Sequence, residues 1–130
     1  MQNDQKTGLK VTVVRAASGV GTASSSIAAD NYRHALFFVQ SDFSGGGKSV
    51  TVQIEHSDDN TTFEPFGTLE TFTGASSTAQ GSIIVDHSAA KRYVRATITP
   101  ASSALTNCVV VQFNEQLTPD STANVSLSVL

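Results

Sequence analysis

The chain has 130 residues, with 8 Lys+Arg against 11 Asp+Glu, one Cys and no Trp, a length that suits one ordinary domain with its own core. Charged residues make up only 15%, whereas Ser and Thr number 17 and 15, and the net charge of −3 leaves no basic excess to displace the counterions of a nucleic acid. The lone Cys108 excludes an internal disulfide and a multi-cysteine zinc site, and no apolar run approaches the roughly 18 residues of a membrane-spanning helix.

The opening Met1-Gln2-Asn3-Asp4-Gln5-Lys6 lacks the basic-then-apolar layout of a secretory signal, so synthesis without export is expected. Leu9, Val11 and Val13 alternate with Lys10 and Thr12, the period of a half-buried strand. Ser24 to Asn31 has room for one helical turn. Ala35-Leu36-Phe37-Phe38-Val39 is apolar on both faces and predicts a central strand. Ser41-Asp42-Phe43-Ser44-Gly45-Gly46-Gly47 reads as a loop, since glycines reach positive φ without steric cost. Val50, Val52 and Ile54 point one way and Thr51, Gln53 and Glu55 the other. Ser57-Asp58-Asp59-Asn60-Thr61 then forms a turn through Asp and Asn side chains that bond their own backbone.

Phe63 to Leu69 is a weaker strand candidate, interrupted by Pro65 and Gly67. Ile83-Ile84-Val85 is a short apolar run. Val94, Ala96 and Ile98 form the core face of a strand whose other face carries Tyr93, Arg95 and Thr97. Thr99-Pro100-Ala101-Ser102-Ser103 closes it, and Val109-Val110-Val111-Gln112-Phe113 follows, rich in β-branched residues. Thr118-Pro119-Asp120 is a further turn, and Asn124 to Leu130 alternates like an edge strand. Short strands between regular turns predict an all-β protein, a single antiparallel β-sandwich of seven or eight strands. The expected organisation is an N-terminal arm over 1–9, the sandwich over 10–114, and a C-terminal arm or edge strand over 115–130. That last segment either folds back on its own sheet or adds to a neighbouring subunit.

Candidate chemistry is sparse. His34, His56 and His87 show no metal-pair spacing and read as solvated or strand-end residues. Gly45-Gly46-Gly47-Lys48-Ser49 invites a phosphate-loop reading, but Asp42 stands where the first Gly is needed, and a strand rather than a helix follows. Asp58-Asp59-Asn60 lacks the rest of a calcium loop, and no Gly-x-Ser-x-Gly elbow is present. No enzyme activity, cofactor or metal is therefore expected. Lys91-Arg92-Tyr93-Val94-Arg95 is the one basic cluster. It reads as a solvated strand face with Arg stacked on Tyr, or as a contact patch, since Arg and Tyr are favoured at interface hot spots.

Three segments together carry a resemblance: 35–43, the run from Val50 to Phe63, and the run from Lys91 to Pro100. They resemble a group of small tailed-bacteriophage virion proteins with a "DF" loop, a strand ending in S-D-D-x-x-x-F/W and a late "KRYVR" strand. The second and third are also similar to motifs of discoidin-like sandwiches, with Phe63 in place of the aromatic Trp and Asn60 in place of Gly. The resemblance implies a jelly-roll or discoidin-like sandwich and a non-enzymatic capsid decoration (cement) protein, made in the bacterial host cytoplasm and resident in the virion. Its partners would be the major capsid protein and itself, as a homotrimer with a dimer as alternative, with no direct nucleic acid or membrane contact. The alternatives are a tail or head–tail connector component, or a carbohydrate-binding module for a surface glycan, for which Phe43, Phe66 and Phe72 are the candidate loop aromatics. Leu9, Arg92, Tyr93, Arg95, Val125, Leu127 and Val129 are the expected partner contacts.

Overall fold

The computed structural model describes residues 9–19, 22–43, 49–74, 77–101, 104–114 and 126–129, and no helix occurs among them. In chain order the strands are β1 (Lys10–Gly19), β2 (Thr22–Ala23), β3 (Ile27–Ala28), β4 (His34–Phe43), β5 (Ser49–Ser57), β6 (Glu64–Pro65), β7 (Glu70–Thr73), β8 (Thr78–Asp86), β9 (Tyr93–Pro100), β10 (Ala104–Phe113) and β11 (Ser126–Val129). They form two sheets, one in the order β1-β10-β4-β8-β11 and the other β2-β9-β5-β6, with β3 on β9 and β7 on β5. All pairings are antiparallel except that of β11, which runs parallel to β8. The chain is a β-sandwich.

The inner faces follow from period-two alternation. Along β4, Ala35, Phe37, Val39, Ser41 and Phe43 are buried and the intervening residues are not. Between β5 and β9, Val52 is opposite Ile98 and Ile54 opposite Ala96, with Val50 and Val94 at either end of the same inner row, and all six are 0% exposed. With Phe37, Ile83, Val85 and Val110 they fill one core, each large side chain stabilising the fold by about 1.5–3 kcal/mol relative to exposure. Two buried hydroxyls, on Ser41 and Thr106, bond each other across β4 and β10 at 2.9 Å, which removes the cost of placing them there. Cys108 is 0% exposed, and burial pushes its thiol pKa up to about 12.

Several expectations are corrected. Ser41–Phe43 continues β4 instead of starting a loop, because its pairing with β10 and β8 persists to Asp42 and Phe43. The Phe63–Leu69 strand reduces to the two-residue β6, ended by Gly67 at φ 80°. Ser24–Asn31 is no helical turn: it contains β3 and then two left-handed residues, Asp30 and Asn31, at φ 50° and 66°. The Ile83–Val85 run lies inside a nine-residue strand. Eleven strands stand among the described residues, the excess over eight coming mainly from two-residue pieces. Residues 1–8, residues 44–48, Ser102, Ser103, Thr118-Pro119-Asp120 and Val125 lie outside the described residues.

Candidate partner-binding face

The largest departure from expectation is on β1. Leu9, Val11 and Val13 point outward, 68%, 62% and 64% exposed, although they were read as the apolar face of a half-buried strand. The register shifts between Val13 and Arg15, a bulge of the kind that re-aims side chains. Val14, the extra residue at that shift, joins the core, and Arg15 is buried with its Nη1 donating to the Ile98 carbonyl at 3.3 Å.

Cross-strand register carries this apolar surface across the sheet. Val11 is opposite Val111, which is opposite Leu36; Val13 is opposite Val109, which is opposite Phe38. Directly opposed residues share a face, and these six oppose the core-facing set, so they form the outer surface of β1, β10 and β4. Leu105, 49% exposed, extends it. On β8 the outward Ile84 and Ser82 are 2% and 3% exposed, so the open part of the face spans three strands. Of these residues only Leu9 was singled out from the sequence. The signal was the two-sided apolar character of 35–39 and 109–113: in a two-layer fold one of those sides faces away from the core.

The expected contact residues of the basic strand are placed differently. Arg95 Nε donates to Glu55 Oε1 at 2.8 Å, its guanidinium lies 3.9 Å from the Phe63 ring centroid, and Thr97 Oγ1 donates to the same carboxylate oxygen at 2.9 Å. Arg92, not Arg95, stacks on Tyr93, at 5.1 Å. Lys91 pairs with Glu64, and that contact raises the Lys91 pKa and lowers that of Glu64. This segment is thus a polar outer face of the other sheet, with Lys91 and Arg95 paired to carboxylates of the same chain. Leu127 and Val129 belong to β11, whose backbone adds beside Gly81–Ile84 of the same chain.

The histidines do not converge on a metal: among the described residues no group of three or more His, Cys, Asp or Glu could hold one. His56 accepts from Lys91 N at Nδ1, places Nε2 3.3 Å from Glu64 and packs on Phe66. His87 is not the solvated loop residue expected from sequence; it is 7% exposed. Asp59 caps its own turn, its Oδ1 accepting from Ser57 Oγ and from the Thr61 and Thr62 amides, and the two amides foremost hold its pKa at about 2. Of the aromatics considered for a glycan, Phe43 on β4 and Phe72 on β7 are only 5% and 3% exposed, so neither presents a stacking face. A cleft of about 470 Å³ opens at one end of the sandwich between Ala29, Asn31, Tyr32, Arg33, His87, Ser88 and Asn114. No protein family, curated protein or solved structure matches the chain.

Proposed function

We propose that this protein is a non-enzymatic structural component of a bacteriophage virion, a capsid decoration (cement) protein that seats on the outer surface of the capsid lattice and stabilises it. The observation that carries the reading is the apolar outer face of β1, β10 and β4. Leu9, Val11, Val13 and Leu105, each about half to two-thirds exposed, together with the partly exposed Leu36, Phe38, Val109 and Val111, present on the order of 400 Å². That is the size of the largest apolar patch on a typical monomer, and such patches are often functional.

The magnitude also suggests how the surface is used. Covering on the order of 400 Å² at about 25 cal/mol per Å² gives a gross gain of about 10 kcal/mol. Association costs of about 4–15 kcal/mol consume most of it, and two such faces together fall short of the roughly 1,200 Å² of a stable pairwise interface. One contact is therefore weak, and binding becomes firm when a homo-oligomer engages several lattice sites at once. A trimer matches the threefold positions of an icosahedral shell. The sequence resemblance over 35–43, 50–63 and 91–100 points the same way.

The test is occupancy. Capsids assembled without the protein are incubated with wild type and with a Val13→Asp/Val109→Asp variant, and the bound copies are located by electron microscopy. The reading requires wild type on the capsid exterior and at least tenfold weaker binding of a variant that remains folded. Localisation to the tail or connector, or full occupancy by the variant, overturns it.

A further inference from the structure

The end of the sandwich beside the cleft contains a hydrogen-bond arrangement with only one consistent proton assignment. Gln112 is 1% exposed. Its Nε2 lies 2.8 Å from the Ala28 carbonyl, 3.4 Å from the Ala29 carbonyl and 3.1 Å from His87 Nε2. Two carbonyl acceptors fix the amide with its NH₂ toward them, since the flipped amide would set oxygen against oxygen. One N–H serves the carbonyls and the other points at His87. His87 Nε2 must then accept, so the neutral ring carries its proton on Nδ1.

We propose that the His87–Gln112 pair is a proton-operated latch on the 29–33 turn. While His87 is neutral, Gln112 holds the Ala28 and Ala29 carbonyls; once Nε2 is protonated it faces the amide NH₂ donor to donor. The amide relieves that conflict only by rotating its oxygen toward the ring, which releases both carbonyls. Several of the turn's other ties are exposed to solvent, among them Asn114 Nδ2 donating to the Asn31 carbonyl at 3.3 Å. Ala29 N donates to Arg92 O, Tyr32 N to Ala29 O and Arg33 N to Asn114 Oδ1, while His87 N donates to Arg33 O and Lys10 pairs with Asp30. It also holds Asp30 and Asn31 at positive φ, a region that Asp and Asn enter more readily than other side-chain-bearing residues. Releasing the latch therefore loosens the cleft wall and leaves the core strands in place.

The charged groups around the ring are Asp86 at the end of β8, His34 on β4, and Asp30 and Arg33 in the turn. Burial lowers the His87 pKa most; Asp86 and Asp30 pull it up and His34 pushes it down. With the folded-state pKa below the unfolded value of about 6.5, the folded state holds fewer protons between the two. The latch's stability is complete above about pH 6.5 and is lost as pH falls toward the folded-state value. The orphaned Nδ1 is itself buried, so a molecule in the cleft does not reach it without movement of the wall, and the proton is the natural input.

The test follows the ring nitrogens of the intact chain by NMR while amide protection is measured from about pH 7 to about pH 4.5. The expected result is an Nδ1–H tautomer at neutral pH. As His87 titrates, protection of the Tyr32 and Arg33 amides should fall reversibly by at least tenfold, with β5 and β9 unchanged. In His87→Asn the protection of the turn should no longer follow pH in this range. An Nε2–H tautomer, unchanged turn protection through the titration, or loss of protection in the whole sandwich together would overturn the latch. The wild-type measurement decides this even if His87→Asn does not fold.

Discussion

The two sheets present opposite chemistry to their surroundings. On the six-stranded sheet the outward rows pair Thr51 with Thr99, Gln53 with Thr97 and Glu55 with Arg95, and the Glu55 carboxylate is bonded by both Arg95 and Thr97. On the five-stranded sheet the outward rows are Val11–Val111–Leu36 and Val13–Val109–Phe38. Both sheets use the same alternation and both bury an apolar inner side. The first is finished for water, whereas the second leaves apolar side chains outside in opposed rows. Alternation thus decides which residues share a face, and the outward set decides whether that face suits solvent or a partner.

The sharpest way to probe this contrast is on β4, where Phe37 is 0% exposed and its neighbour Phe38 faces outward. Phe37→Ala should cost about 3–5 kcal/mol of folding stability in denaturant titrations; a cost below about 1 kcal/mol would remove the inner–outer distinction. Val109→Asp on the outer face should weaken capsid association at least tenfold, about 1.4 kcal/mol, while the melting temperature stays within a few degrees. Phe38→Ser should cost less than about 1 kcal/mol in folding and raise solubility. Last, Glu55→Ala breaks a half-buried surface pair and should cost about 0.5 kcal/mol, a loss that shrinks in high salt. Capsid binding should not respond to it. If Glu55→Ala weakens binding more than Val109→Asp does, the roles of the two faces are reversed.

Much of the frame is legible in the sequence. Val50, Val52 and Ile54, and Val94, Ala96 and Ile98, declare their shared core face because local alternation needs nothing from the rest of the chain. The Ser57–Thr61 turn is also local: Ser57 and Asp59 bond neighbours two or three residues away. The candidate face was half visible. Leu9, Val11 and Val13 announce that they lie together, but period two has no preference between inside and outside. On β1 the residue that joins the core is instead Val14, at the bulge.

Other features depend on partners distant in sequence. A Cβ at Gly81 would overlap the ring of Phe72, so that glycine in the middle of β8 is demanded by a side chain from the opposite sheet. His87 looked like a loop residue, yet its environment is made by Gln112, Ala28 and Ala29, residues that only the closing of the two sheets brings together. Local pattern was enough to mark an all-β chain, to say which residues alternate toward a common face, and to place the Ser57–Thr61 turn. Only the tertiary structure decided which apolar face lies against the core, which histidine is buried, and which surface is left open. The reason is physical: alternation and turn chemistry act over a few residues, whereas burial depends on what the rest of the chain packs against them.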